Sequence, residues 1–171
     1  MNKKLYTRLY KDNPGDFSNP IYVGGYYEKV EGMPAKRFRL VGVAISAGIT
    51  LLLLMIGSML SVPGKALYAT LPYVLTYLPA VMSLFAFLHA PSDDGRMRED
   101  TWHNSMERIQ MYSVFGILFS AVSLIGGVVA CILAKTLGVP ELLFLLMSAL
   151  NTGGFVVIRR MRKRQIYKLF T

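Results

Sequence analysis

The residues best placed for acid–base or metal chemistry lie in one charged segment, residues 91–108. His103 and Glu107 are four positions apart, so a helix would place both side chains on one face. No HExxH pattern, second close histidine pair or cysteine pair accompanies them. We therefore predict a solvated, salt-bridged loop with no metal site and no cofactor. Three further residues with metal-binding side chains lie nearby in the sequence: His89, Glu99 and Asp100.

A second polar group lies inside an apolar stretch near the end of the chain. It consists of Asn151, Thr152, Gly153 and Gly154. Asn151 is eight residues before Arg159, which is about 12 Å along a helix and therefore near the middle of a membrane. An amide at that depth needs a hydrogen-bond partner. Three interpretations stay open: Asn151 joins helices of one bundle, it joins two subunits, or the group forms a local helix break that binds a ligand.

Apolar segments must position both groups. Residues 109–134 contain no charged side chain, and as a helix they would be about 39 Å long, against a hydrocarbon core of about 30 Å. A backbone at that depth must form its own hydrogen bonds, which requires a helix. Three further apolar runs have similar character. The predicted spans are about 40–62, 66–90, 109–134 and 140–158.

The composition agrees with a membrane protein. Of 171 residues, 53% are hydrophobic and 17% are charged, whereas soluble domains carry about 25% charged residues. The single cysteine, Cys131, excludes a disulfide within the chain. The predicted fold class is an all-α integral membrane protein, with four transmembrane helices arranged as two antiparallel helical hairpins.

The charge distribution predicts the orientation. Of the 19 Lys and Arg residues, eight lie in residues 1–39, three in the loop 91–108 and six after residue 158. Only Lys65 and Lys135 would lie on the other side. The positive-inside rule therefore places both termini and the loop in the cytoplasm of a cell membrane, and the composition suggests a bacterial inner membrane. This asymmetry also explains the net charge of +9 without a nucleic-acid partner.

The two tails have distinct patterns. In the N-terminal tail, residues 1–39, a Gly-Gly pair between β-prone residues at 21–27 is compatible with a short β-hairpin. In the C-terminal tail, residues 159–171, apolar residues at 166, 169 and 170 have amphipathic helical spacing. The basic residues of this tail should contact anionic lipid headgroups. These are Arg159, Arg160, Arg162, Lys163 and Arg164.

Two spans carry features that bear on packing. Pro72 and Pro79 lie seven apart in the second span and predict a kinked helix, because each proline removes a backbone donor. The third span contains two overlapping pairs of small residues four apart, which favour close helix contact within the bundle or in a dimer. These pairs are Ser123 with Gly127, and Gly126 with Ala130.

No catalytic motif is evident, so the sequence favours a non-enzymatic protein. The leading hypothesis is an accessory or structural subunit whose tails dock a larger membrane or cytoplasmic protein. The alternative is a small oligomeric transporter or channel for a neutral or small solute, motivated by the two prolines of the second span and the polar group at residues 151–154. No charged residue lies in the middle of a span, which weighs against a proton-coupled pump. A third hypothesis is a membrane enzyme that uses His103 and Glu107.

Overall fold

The computed structural model describes residues 9–11, 21–57, 66–135 and 137–170. The expectation of a mostly helical chain is confirmed. The long helices are α1 (Ala35–Gly57), α2 (Leu67–Leu88), α3 (Glu99–Ala134) and α4 (Val139–Lys163). Among the described residues, α2, α3 and α4 are long and apolar enough to cross a membrane. Residues 58–62, the end of the predicted first span, lie outside the described residues, as does the turn that follows them.

Helix α3 begins ten residues earlier than predicted. Much of the expected charged loop is helical, from Glu99 onward, and includes a π-helical segment at His103–Glu107. Met106 and Ile109 are fully buried in this region, so apolar packing holds the charged segment against the bundle. Helix α4 likewise continues past its predicted end at residue 158 to Lys163.

The four long helices form a closed ring. Helix α1 packs against α2 and α4, and α3 packs against the same two helices. The centre is filled by large aromatic side chains that are almost completely buried. They are Phe38, Phe87, Phe144 and Phe155.

The small residues of α3 face inward to two different neighbours. A Cβ added at Gly126 would lie 2.8 Å from the Tyr68 carbonyl oxygen of α2. A Cβ added at Gly127 would lie 2.8 Å from a ring carbon of Phe144 in α4. Ser123 and Ala130 are buried as well. All four small residues therefore serve contacts inside the bundle.

Both prolines of the second span lie inside α2. Pro72 cannot donate the backbone hydrogen bond that the Tyr68 carbonyl would normally accept, and Tyr68 is the residue that Gly126 approaches. The Thr76 hydroxyl donates to the Pro72 carbonyl at 2.8 Å. Pro79 is buried.

The predicted hairpin at residues 21–27 is wrong. Strand β2 (Ile21–Tyr22) pairs with β1 (Tyr10–Lys11), whereas β3 (Tyr26–Glu31) belongs to a different sheet. Gly24 and Gly25 do not adopt positive φ angles, so they do not form the turn that such a hairpin requires. They allow close packing instead, because a Cβ at Gly25 would lie 2.8 Å from Leu169 Cδ1 and one at Gly24 would meet Leu9.

The second sheet joins three distant parts of the chain. Its antiparallel strand order is β4-β3-β5, where β4 is Met97–Arg98 and β5 is Ile166–Phe170. The amphipathic helix that the spacing of apolar residues indicates for the C-terminal tail is therefore wrong, since residues 166–170 form a strand. The N-terminal tail, the middle loop and the C-terminal tail consequently meet at one end of the helices, the sheet end.

An aspartate fastens the sheet to the start of α1. The Asp94 carboxylate accepts hydrogen bonds from the Lys29 ammonium group at 2.5 Å and from the Ala35 backbone N–H at 2.9 Å. Ala35 is the first residue of α1, so Asp94 caps this helix from a remote loop. The hydrogen bond from Lys29, with that from Ala35, lowers the pKa of Asp94. The carboxylate therefore stays charged in its capping role.

Candidate functional site

A group of uncharged polar side chains lies inside the ring of helices. We call it the bundle polar cluster, and each of α2, α3 and α4 contributes two residues at a shared void. Leu53 of α1 closes the void on its remaining side. The cluster residues are Tyr73, Thr76, Ser120, Ser123, Ser148 and Asn151.

Hydrogen bonds around this cluster connect successive helices. The Leu53 carbonyl of α1 accepts from the hydroxyls of Tyr73 and, at 2.6 Å, Tyr77 of α2. The Ser123 hydroxyl of α3 donates to the Ala69 carbonyl of α2 at 3.1 Å. Such bonds stabilise helix pairs where water is excluded.

The third link joins α3 to α4 through one of the predicted site residues. The Thr152 hydroxyl lies 3.1 Å from the Ser120 hydroxyl and 2.9 Å from the Ser148 carbonyl of its own helix, and it can donate its one proton to either. Thr152 thus makes an interhelical hydrogen bond rather than lining an opening.

Two polar atoms of the cluster are buried without a partner among the described residues. They are Asn151 Oδ1 and Ser148 Oγ, and their side chains are 1% and 3% exposed. The adjoining void is about 10 Å³, which is room for about one water molecule. The cluster can therefore accept a hydrogen-bond donor of that size without rearrangement.

The glycine pair does not interrupt α4, which is continuous from Val139 to Lys163. A Cβ at Gly154 would lie 2.8 Å from Ile49 Cδ1 of α1, so this glycine permits helix contact. A Cβ at Gly153 would have no described neighbour within 4 Å. The predicted helix break at residues 151–154 is therefore absent.

The structure brings together only part of the predicted acid–base group. His103 Nδ1 hydrogen-bonds the Glu107 carboxylate, and His103 Nε2 lies 3.7 Å from Glu99 Oε1. Glu99 is 5% exposed. The imidazole therefore lies between the carboxylates of Glu99 and Glu107 on one face of α3. His103 and Glu107 belong to the π-helical segment, and Glu99 lies one turn before it.

The other two residues are engaged elsewhere. His89 Nδ1 contacts the Phe85 carbonyl of its own helix at 2.8 Å, and the Asp100 carboxylate accepts from the Tyr10 hydroxyl at 2.6 Å. Burial, with the hydrogen bond to Asp100, raises the pKa of Tyr10. Over the described part of the chain, no group of three or more His, Cys, Asp or Glu residues could hold a metal ion.

Arg162 does not contact lipid as predicted, because it is only 7% exposed. Its Nε donates to the Met106 carbonyl at 2.8 Å, its Nη1 donates to the Gln165 carbonyl at 3.2 Å, and its guanidinium lies 5.5 Å from the Trp102 ring centroid. Arg162 therefore joins α4, the π-helical segment and the start of β5. Trp102, the only tryptophan, is the sequence signal that could have revealed this junction.

Trp102 also joins the sheet to the helices. Its ring stacks on Tyr27 of β3 with centroids 4.4 Å apart and an interplanar angle of 11°. Tyr27 and Tyr167, on neighbouring strands, pack against the hydrophobic core. Burial raises the pKa of Tyr167. One face of the sheet is therefore fixed against the helical bundle.

The opposite face of the sheet is exposed and carries both apolar and charged side chains. Side chains alternate along a strand, so Tyr26, Ile166 and Phe170 lie on the face opposite to Tyr27 and Tyr167. They are 41%, 46% and 49% exposed. Tyr26 is directly opposite Phe170, and Glu28 is opposite Lys168 on the neighbouring strand. We call this surface the outer sheet face.

Comparison of the chain with known protein families, curated proteins and solved structures finds no match. The function must therefore be inferred from the chain's own residues and their geometry.

Proposed function

We propose that this chain is a four-span protein of the cell membrane that acts as an accessory or structural subunit, with both termini in the cytoplasm. The ring of helices anchors it, and the outer sheet face docks a larger membrane or cytoplasmic protein. The observation that carries the proposal is that Tyr26, Ile166 and Phe170 are exposed apolar side chains on this one sheet face. Clustered exposed apolar side chains with polar neighbours are typical of protein interaction sites.

The construction of the sheet supports this proposal. Three segments that the charge distribution assigns to the cytoplasm are paired in one sheet, as expected if they lie on the same side. The inner face is held by Tyr27, which stacks on Trp102, and by Arg162, whose guanidinium lies beside the Trp102 ring. A surface that is already rigid loses little conformational entropy when it binds a partner.

The test is native mass spectrometry of the protein extracted gently from its own cells. We expect a second protein in stoichiometric amount. The double variant Ile166→Glu/Phe170→Glu should lose this partner by at least tenfold, because two charges would be desolvated in an apolar interface.

The matched control is Lys168→Gln, which lies on the same strand and face but leaves the apolar side chains in place. It should retain the partner. A fully active protein that is monomeric, or a partner that stays bound to the Ile166→Glu/Phe170→Glu variant, would contradict the docking proposal.

A second candidate function is a small transporter or channel. The observation that favours it is a pair of buried atoms at the void between the helices, Ser148 Oγ and Asn151 Oδ1, which have no hydrogen-bond partner in the described part of the chain. The void of about 10 Å³ admits only one water-sized molecule. Solute passage would therefore require the helices to separate, which is why we rank this function second.

A further inference from the structure

A groove lies at the sheet end of α4, between this helix and the turn that joins β3 to α1. Its volume is about 770 Å³. Along the helix wall, Val157 and Met161 are apolar, whereas Arg160 and Arg164 are cationic and exposed. The groove therefore has both apolar and cationic side chains along the wall formed by α4 and the residue that follows it.

The order of Val157, Arg160 and Arg164 follows the depth expected in a bilayer. Val157 lies toward the middle of α4, and Arg164 lies seven residues later, about 10 Å farther along the helix axis. An amphiphile with an acyl chain beside Val157 and a phosphate beside Arg160 and Arg164 would satisfy both parts. Guanidinium groups bind phosphate oxygens in paired hydrogen bonds.

The second wall is held in place by the backbone. The Gln165 side-chain amide is oriented with its nitrogen toward the Met33 carbonyl and its oxygen toward the Met33 N–H. In this orientation it donates to the carbonyl at 3.3 Å and accepts from the N–H at 3.0 Å. Gly32 has φ 130°, a conformation suited to glycine, and a Cβ there would lie 2.6 Å from the Gln165 side-chain amide. The groove is therefore formed before any ligand binds.

We propose that this groove binds one molecule of an anionic phospholipid, with its phosphate held by Arg160 and Arg164. Among the described residues, Glu31 is the only acidic one that lines the groove, so this lining has a net positive charge that favours an anionic headgroup. The proposal identifies one binding position, and differs from general attraction of the basic tail to a membrane. It rests on the proposed membrane placement, but it does not require a docking partner.

The test is a lipid titration of the purified full chain in detergent, followed by native mass spectrometry. The probes are phosphatidylglycerol, phosphatidylethanolamine and soluble glycerol phosphate. We expect one phosphatidylglycerol molecule to bind before any other, phosphatidylethanolamine to bind more weakly, and glycerol phosphate not to compete. Arg160→Gln or Arg164→Gln should weaken binding about fivefold, and the double variant about 30-fold.

Two variants serve as internal controls. Lys163→Gln removes the same charge from the same turn of α4 outside the groove, and should leave binding unchanged. Glu31→Gln should strengthen it. Unchanged Trp102 fluorescence in each variant will show that the sheet junction is intact.

Equal losses with Lys163→Gln and Arg160→Gln would overturn the proposal in favour of non-specific attraction. Competition by glycerol phosphate would overturn it in favour of a soluble phosphate ligand. Since the titration uses the isolated protein, failure of the docking proposal would leave its result unchanged.

Discussion

Replacing Gly126 by valine should disrupt the helical bundle. Even the first added carbon would lie 2.8 Å from the Tyr68 carbonyl oxygen and 3.0 Å from Ala69 Cα, both of which belong to the α2 backbone. Backbone atoms cannot rotate away, so α2 and α3 would have to separate. We expect Gly126→Ala to lower the free energy of unfolding by about 1–3 kcal/mol and Gly126→Val to lower it further. Thermal unfolding in detergent would measure both changes.

Gly153→Ala is the matched control for this prediction. Gly153 also lies within a long helix, but a Cβ there would meet no described atom within 4 Å. Gly153→Ala should leave the stability unchanged or raise it by up to about 1 kcal/mol, because alanine favours the helix more than glycine does. Equal stability of Gly126→Val and Gly153→Ala would show that α2 and α3 do not pack as described.

Replacing Arg162 by leucine should release the sheet from the bundle. The substitution removes the donors to the Met106 and Gln165 carbonyls, and a hydrogen bond from a charged donor contributes about 1.5–3 kcal/mol. Arg162→Lys should restore only part of the loss, because an ammonium group lacks the forked geometry of guanidinium. Unfolding in detergent would measure the difference in stability.

The single tryptophan gives this prediction a local readout. Trp102 stacks on Tyr27 and lies beside the Arg162 guanidinium, so loosening the junction should admit water and shift its emission to longer wavelength. Lys163→Gln, an exposed neighbour with the same charge, should change neither emission nor stability. An unchanged spectrum for Arg162→Leu would mean that Arg162 does not hold the sheet in place.

The helical part of this fold was readable from sequence for a clear physical reason. A helix that crosses a bilayer needs about 20 mostly apolar residues, and residues 109–134 meet that requirement without any knowledge of neighbours. The small residues of α3 were likewise identified from spacing alone. Which neighbour each one faces depends on how the helices are arranged, and that information is not local.

The sheet was missed because its strands are short and distant in sequence. Strand β4 has two residues, Met97–Arg98, inside a charged loop, and β3 pairs with a strand near the other end of the chain. The spacing of residues 166, 169 and 170 fits a helical face as well as a strand. The Gly24-Gly25 pair is typical of a hairpin turn, but in the structure both glycines allow close packing.

Arg162 was misinterpreted for a similar reason. Within a run of basic residues it looks like its neighbours, and only the position of Trp102 and Met106 distinguishes it. For the polar residues of the bundle, the residue type was informative, but the contacts could not be predicted. Asn151 was identified as important because an amide inside an apolar run is unusual, but whether it meets a partner depends on α2 and α3.

The measurement that tests the proposed account most directly is labelling of single cysteines from each side of the membrane. In a Cys131→Ser background, cysteines replace Glu28, Gly95, Lys168 and Leu137 one at a time, and a membrane-impermeant thiol reagent is applied to inverted and right-side-out vesicles. We predict that positions 28, 95 and 168 react from the cytoplasmic side and that position 137 reacts from the opposite side. Labelling of any of the first three positions from the opposite side would contradict a four-span protein with a cytoplasmic docking sheet.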